Sequence, residues 1–300
     1  MALAPIFMTT YRRLDHLKKS LESLARNPLA SESTIYLTSD GPLPEHKKEV
    51  FAVRNYLENL EGFGRVELHF FDQNHRGQLW DLRREVSEKH GRFIFLEEDC
   101  VTAPGFLGFL NASLVRWKDD PAVFGIVAFT PPLPELAGPE MRAFRVPCAN
   151  VWGFGTWERN DRIIRKTMPK SEVSKTLRSH TMRAKAFESL GAPFLGMLGK
   201  AARGQYFGYD IMANYEIIQR DMVCIYPSQS LIRNTGFDGT GEHCGTSDND
   251  EGQLYDQPRE RWDDLKEVTS KEVNRAFGRF HGTSARNRWR FYSRWLRGKL

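Results

Sequence analysis

Three consecutive acids, Glu97, Glu98 and Asp99, follow four apolar residues in FIFLEEDCVTAPGF. Carboxylates crowded this closely raise the free energy of the fold unless a positive charge sits among them. A hard divalent cation, Mn2+ or Mg2+, would supply it, since such ions take one or two protein carboxylates and complete their shell with phosphate oxygens. The other reading is a solvated strand end. Similar pairs of readings attach to other polar groups. Thr9 and Arg13 in FMTTYRR suit a hydroxyl and a guanidinium set against a nucleotide, or an ordinary helix entry. Asp40 in TSDG either accepts from a base N–H or a ribose hydroxyl, or caps its own turn. In YFGYDIMANY, Asp210 opens a helical stretch beside Tyr209, where it caps the helix or acts as general base toward an alcohol. Trp152, Gly153 and Trp157 of VWGFGTW form an aromatic, backbone-exposing run that suits a sugar or acceptor face, or plain core. His243, in the glycine-rich GTGEHCG, is either exposed or a metal or diphosphate ligand.

These residues need elements to hold them, and the chain alternates two periods. APIFMTT, STIYLTS, RVELHFF and RFIFLEE read as short buried strands; between them lie amphipathic helices, the first with Leu14, Leu17, Leu21 and Leu24 at helical spacing. Alternation of this kind predicts a largely parallel sheet with helices on both faces, whose ligands bind beyond the carboxyl ends of the strands. TTYRR, TSDG, FDQN and LEED all fall at that edge. A fifth strand is expected in AVFGIVAF, a mostly helical, basic stretch from about 161 to 203 interrupted at GAPFLG, a helix in YFGYDIMANYEIIQRD, a strand in MVCIYPSQS, and a loop from Leu231 onward. GFGTW lacks the third glycine and the strand–turn–helix setting of a dinucleotide fingerprint, and no G-x-x-x-x-G-K-[ST] occurs. A nucleotide here must be held by metal and side chains.

The 300 residues, 40% hydrophobic and 27% charged, form an ordinary globular composition with room for a real cleft. No apolar run approaches the roughly 18 residues of a membrane span, and MALAPIFMTT lacks the parts of a secretory signal, so the expected compartment is the cytoplasm. Cys100, Cys148, Cys224 and Cys244 show no C-x-x-C spacing, which argues for free thiols. The net charge of +5 favours acidic partners, and it is concentrated at the end: SARNRWRFYSRWLRGKL has six basic and no acidic residues. Drawn as a helix, Trp289, Tyr292, Trp295 and Leu296 fall on one side and Arg286, Arg290, Arg294 and Arg297 largely opposite. Residues 284–300 therefore suit an anionic membrane surface, giving a peripheral location on its inner face, or a helix docked on the body; nucleic acid is disfavoured.

PIFMTTYRRLDHLKKSLESL, IYLTSDGP, DQNHRGQLWDL, FIFLEEDCVTAPGFLGFL, VWGFGTW and YDIMANYEIIQRDMVCIYPSQSLIRNTGFDGTGEH together resemble, in order, the GT-A glycosyltransferases, above all the N-acetylglucosaminyltransferase I type and its bacterial relatives. The likeness spans roughly residues 5 to 245. It implies an α/β, Rossmann-like GT-A domain over 1–245; the stretch at about 161–203 reads as a helical acceptor-side insert in it, and 246–300 as a helical C-terminal extension ending in the basic amphipathic segment. It also implies an inverting transferase moving a sugar from a UDP-sugar to a hydroxyl on a glycan or lipid-linked acceptor. EED stands where the family has its acidic metal motif, so by resemblance Asp99 binds Mn2+ or Mg2+ and Glu98 lies near ribose or metal. Asp40 resembles the acid that pairs with uracil, Arg13 and Arg76 arginines on the nucleotide side, Asp210 the catalytic base, and His243 the histidine of a closing loop. The family often has two adjacent acids at the base position, whereas Asp210 is followed by Ile211. A sugar-nucleotide pyrophosphorylase would want a glycine-rich loop after the first strand, which MTTYRRLD lacks. A non-catalytic carbohydrate-binding protein of the same fold would bind glycan without nucleotide or metal.

Overall fold

A computed structural model of the chain describes residues 2–241 and 254–297, apart from 137, 139, 207, 258, 260 and 283. Its first half alternates as the periodicity predicts: β1 (Ile6–Thr10), α1 (Leu14–Ala25), β2 (Thr34–Ser39), α2 (Lys47–Leu57), β3 (Arg65–Phe70), α3 (Arg76–His90) and β4 (Arg92–Glu97). A short β5 (Cys100–Thr102) leads into α4 (Phe106–Arg116), then β6 (Val123–Val127), β7 (Arg142–Val146) and β8 (Phe154–Trp157). Four helices follow, α5 (Glu158–Asp161), α6 (Lys170–Arg178), α7 (His180–Ser189) and α8 (Gly191–Ala202), and then α9 (Tyr209–Arg220), β9 (Val223–Pro227), β10 (Ile232–Asn234), β11 (Lys266–Val268), α10 (Lys271–Phe280) and α11 (Ala285–Leu296).

Nine strands form one sheet in the order β11-β7-β9-β6-β8-β4-β1-β2-β3. The β1–β2, β2–β3, β1–β4, β6–β9 and β7–β11 junctions are parallel, and β8 and the β7–β9 junction introduce the antiparallel ones. Period-two alternation sends neighbouring side chains to opposite faces. Ile6, Met8, Ile35, Leu37, Ile94 and Leu96 join the main core with Leu17, Leu21 and Leu24 of α1 and Val53 of α2. Phe7, Tyr36 and Phe93 pack on the other face with Val86 and Leu82 of α3. The sheet is thus covered on both sides, as expected of parallel strands.

The strand order places the site. From β1 the chain steps to β2 and β3 on one side and returns to β4 on the other. Where the order reverses, between the carboxyl ends of β1 and β4, lies the switch point at which α/β sheets bind ligands.

Three expectations change. LIRN, expected as loop, is β10, which pairs antiparallel with β5 and sets Asn234 opposite Cys100. GAPFLG does not end the helices but opens α8: Gly191 takes φ 75°, a left-handed backbone, and Pro193 falls in the first turn, where its missing N–H leaves no intrahelical bond unmade. Tyr292 does not share a free face with Trp289 and Leu296. It leans on Phe187 of α7 at 6.1 Å between ring centroids, next to Phe291 at 5.7 Å, while Trp289 and Leu296 stay exposed. The residues after 245 add a strand to the sheet, since β11 pairs in parallel with β7, and Trp262 packs edge-on against Phe109 of α4.

Candidate active site

Glu97 ends β4, and β1 pairs with β4 in the register Thr9↔Glu97, so residues just past Thr9 meet residues just past Glu97. Arg13 lands between two of the acids. Its Nε donates to Glu98 Oε1 at 2.8 Å and its Nη2 to Asp99 Oδ2 at 2.8 Å, and Tyr11 N donates to Glu98 Oε2 at 2.7 Å. The positive charge the acids require is therefore partly on the chain itself. Burial alone would lower the guanidinium pKa; Asp99 and Glu98 outweigh it and raise it, so Arg13 is charged throughout the accessible pH range. Its Nη1 is buried with no hydrogen-bond partner among the described residues.

The turn between β4 and β5 divides the triplet. Glu98 turns to Arg13 and Tyr11, whereas Glu97 and Asp99 turn together toward Cys100, with one ligand atom of each within 4.8 Å of the others. Burial, then the negative charges of Asp99 and Asp210, push the Glu97 carboxyl up to about 8. Burial, then the charges of Asp99 and Glu97, raise the Cys100 thiol well above its usual range, so it donates, to Asp99 Oδ1 at 3.7 Å. Ligand atoms sharing one divalent ion at ~2.1 Å lie ~3.0 Å apart when adjacent and ~4.2 Å when opposite, so a bound ion would draw this set together. Glu97 and Asp99 are the oxygen donors that a hard ion prefers; the protonated thiol is not.

The β5–β10 pair brings a second loop over Asp99. Thr235 N and Oγ1 donate to Asp99 O at 2.8 and 3.0 Å, Asn234 Nδ2 to Asp99 Oδ1 at 3.3 Å, and His16 of α1 holds Thr235 Oγ1 and Asp238 Oδ2, each at 2.9 Å. At Gly236 any Cβ would overlap Asp99 Oδ2 and crowd Arg13 Nη1, so only glycine lets the backbone cross here. Phe237 meets Trp152 edge-on at 5.6 Å, and Trp152 meets Phe129 at 4.8 Å. Gly153, at φ 65°, faces Phe106, Ile232 and Ala128 too closely for a side chain.

Asp210 lies in the first turn of α9 and is close enough to raise both Glu97 and Cys148. One turn on, Asn214 clamps the aromatic loop to this helix, accepting from Ala149 N at 2.7 Å and donating to Ala149 O at 2.9 Å. The helix carrying Asp210 and the loop carrying Trp152 are therefore tied together.

Asp40 is buried beyond β2, where its Oδ1 accepts from Gly41 N at 3.0 Å and His75 N at 3.1 Å, tying the loops after β2 and β3. Thr9 is half-buried on β1, and Arg76 opens α3, its side chain outside the described ones. His243 lies outside the described residues.

Two expected pocket residues stand elsewhere. Trp157 pairs across from Arg92 at the start of β4, the opposite edge of the sheet; its Nε1 donates to Leu114 O at 3.1 Å, and its ring borders a 320 Å³ cleft with Glu88 and Arg159. Tyr209 turns inward, donating to the fully buried Asp161 at 3.2 Å under the Arg83 guanidinium, 4.4 Å from its ring. A rigid strand carries Trp157 away from the turn at Gly153, and burial plus Asp161 hold the Tyr209 hydroxyl well above its usual range, as a donor.

Sequence reasoning alone assigns Glu97 no role, because the chain turns after β4 and strand alternation does not extend to Glu98 and Asp99. It missed Tyr11, His16 and the 234–236 loop, which act through pairings across the sheet. It also missed Arg54, whose Nη2 gathers the carbonyls of Asp40 and Phe71 at 3.1 and 2.6 Å and so fixes the loop edge.

No family model and no curated protein matches the chain. Among solved structures, it overlays on a mannosyltransferase from Pyrobaculum calidifontis in complex with GDP-Man and Mn2+, at 13% identity and TM-score 0.37 over 65% of this chain and 52% of that one. It overlays on GalNAc-T7 with UDP, GalNAc and Mn2+, at 14% identity and TM-score 0.45 over 80% and 46%. S. aureus TarS 1–349 matches at 12% identity and TM-score 0.34 over 75% and 60%. The chain thus spans about half the length of the solved chains it matches.

Proposed function

We propose that the chain is a metal-dependent, inverting glycosyltransferase of the GT-A kind, moving a hexose such as GlcNAc from a UDP-sugar to a hydroxyl of a bacterial surface or capsular glycan. The acceptor is lipid-linked and met at an anionic membrane surface through residues 284–300. One observation carries this reading: Glu97, Asp99 and Asp210 converge at the switch point of the sheet beside an arginine whose buried Nη1 has no hydrogen-bond partner among the described residues. Acids and a half-used cation in one crevice suit a diphosphate that arrives with its own divalent ion.

A bound Mn2+ or Mg2+ would offset the charge that grows on the diphosphate leaving group. Glu97 and Asp99 would hold it, and Glu97 gives up its proton when it does. Arg13 Nη1 donates to a diphosphate oxygen while Nε and Nη2 keep Glu98 and Asp99 in place. Asp40 and Thr9 face the nucleoside, with Arg76 on the same side. Trp152 and Gly153 wall the sugar, and His243 belongs to the loop that closes over it. Asp210 accepts the acceptor's proton as its oxygen bonds to the anomeric carbon and the bond to the diphosphate breaks. No protein nucleophile is required.

The test is a thermal-shift screen of UDP-, GDP- and CMP-sugars with and without Mn2+, alongside donor hydrolysis by wild type and Asp99→Ala. The expected result is a metal-dependent shift with the UDP-sugar and loss of hydrolysis in the variant. Hydrolysis unchanged by Asp99→Ala rules out this site.

A further inference from the structure

The most exposed large apolar side chains among the described residues are both on α11. Trp289 is 68% and Leu296 77% exposed, against 57% for Phe51 and less for Leu43 and Val115. They are seven residues apart, which on a helix of about 100° per residue puts them within ~20° of one another. Phe291, ~160° round from Trp289 on the same wheel, is buried against Phe187. Arg288 lies over that ring at 5.1 Å, and Asn287 Nδ2 ties the start of the helix to Gly282 O at 2.8 Å. α11 is therefore docked by one face and cannot roll to hide the other.

The charge around the free face has one sign. Arg286, Arg290 and Arg297 flank Trp289 and Leu296 about 60–120° round the helix, and Arg294 follows. None of the four makes an ion pair among the described residues. No acid occurs after Glu272 in the sequence. Arg279, on the helix before it, is by contrast paired with Glu135 at 2.7 Å.

We propose that this face of α11 is a bilayer-docking surface, with Trp289 and Leu296 entering the headgroup boundary of an anionic leaflet and the four arginines meeting lipid phosphates. An indole suits that boundary, and an exposed leucine beside it gains from lipid but has nothing to stack on in a nucleic acid or a glycan. The proposal deepens the lipid-linked-acceptor reading by naming the side chains that bring the body to its acceptor, yet it stands on the helix alone.

The full chain is sedimented with vesicles of phosphatidylcholine containing about a third phosphatidylglycerol, and with pure phosphatidylcholine. Binding to the anionic vesicles is expected, falling about 25-fold per arginine reversed in Arg286→Glu/Arg290→Glu and with added salt. Trp289→Ser/Leu296→Ser is expected to lose tenfold or more, with unchanged melting temperature and unchanged hydrolysis of soluble donor. Equal binding by wild type and Trp289→Ser/Leu296→Ser overturns the proposal. So does binding of a single-stranded oligonucleotide, in place of vesicles, that needs the arginines but not Trp289 and Leu296. Because Asp99→Ala leaves α11 untouched, vesicle binding by that variant separates failure of the transferase reading from failure of this one.

Discussion

Glu97→Gln turns the electrostatics of the crevice into a measurable pH dependence. In the folded chain the Glu97 carboxyl is pushed up to about 8, whereas its ordinary value is 4.5. Between those limits the folded state holds a proton that the unfolded state has released, so stability is full below about 4.5 and falls as pH rises through 8. At about 1.4 kcal/mol per pH unit, a shift of this size amounts to about 5 kcal/mol at most. A chain of this length unfolds with an entropy near 0.6 kcal/mol/K, making the effect about 8 °C in melting temperature. Glutamine keeps the shape without the titration. Melting curves of both proteins from pH 5 to 9 in chelator should coincide near pH 5 and separate with the variant higher, by up to about 8 °C at pH 9. Added Mn2+ should raise the wild type most at pH 8 to 9 and the variant little, and titration calorimetry in two buffers at pH 7 should show about one proton released per ion bound by the wild type. If the two proteins track each other across the whole range, the carboxylates do not share one desolvated site and the reasoning fails.

Arg13→Ala leaves Glu98 and Asp99 buried without their cation. Losing one side of such a pair costs about 3 kcal/mol, or about 5 °C of melting temperature here. Mn2+ should restore part of it, and a change below about 1 °C would show that Arg13 does not neutralise the acids. Tyr209→Phe removes a donor to Asp161 and should cost about 2 kcal/mol in denaturant unfolding while leaving the donor-sugar KM unchanged. A raised KM with unchanged stability would return Tyr209 to the sugar pocket.

The legible part of the fold was its local part. Leu14, Leu17, Leu21 and Leu24 carry their helical period in the sequence, and three of them are buried in α1. Ile6, Phe7 and Met8 alternate between the two cores. What the sequence withheld was pairing. β10 is a strand only because β5 lies beside it, and three residues with a polar centre, Ile-Arg-Asn, give no signal of their own. Trp157 stands apart for a related reason: four residues of extended chain carry it from the turn at Gly153 to the far edge of the sheet, a distance set by strand geometry that no composition reveals. Tyr209 was misplaced because its neighbour Asp210 faces the crevice and adjacent helical positions diverge by about 100°, sending the phenol inward to Asp161.

The acids themselves show where local reading stops. Three carboxylates in a row ask for one positive charge, and a bound ion answers that question as well as any side chain does. The register Thr9↔Glu97 decides between them, because it delivers Arg13 across 85 residues of sequence to Glu98 and gives Glu97 only its longer-range field, which burial and the neighbouring acids outweigh. Asp99 is thereby half-neutralised by the chain, while Glu97, with Asp210 nearby, is left holding a proton. The unmet charge of the crevice thus lies on the Glu97 side of Asp99, and any cation that binds there must displace that proton rather than the arginine.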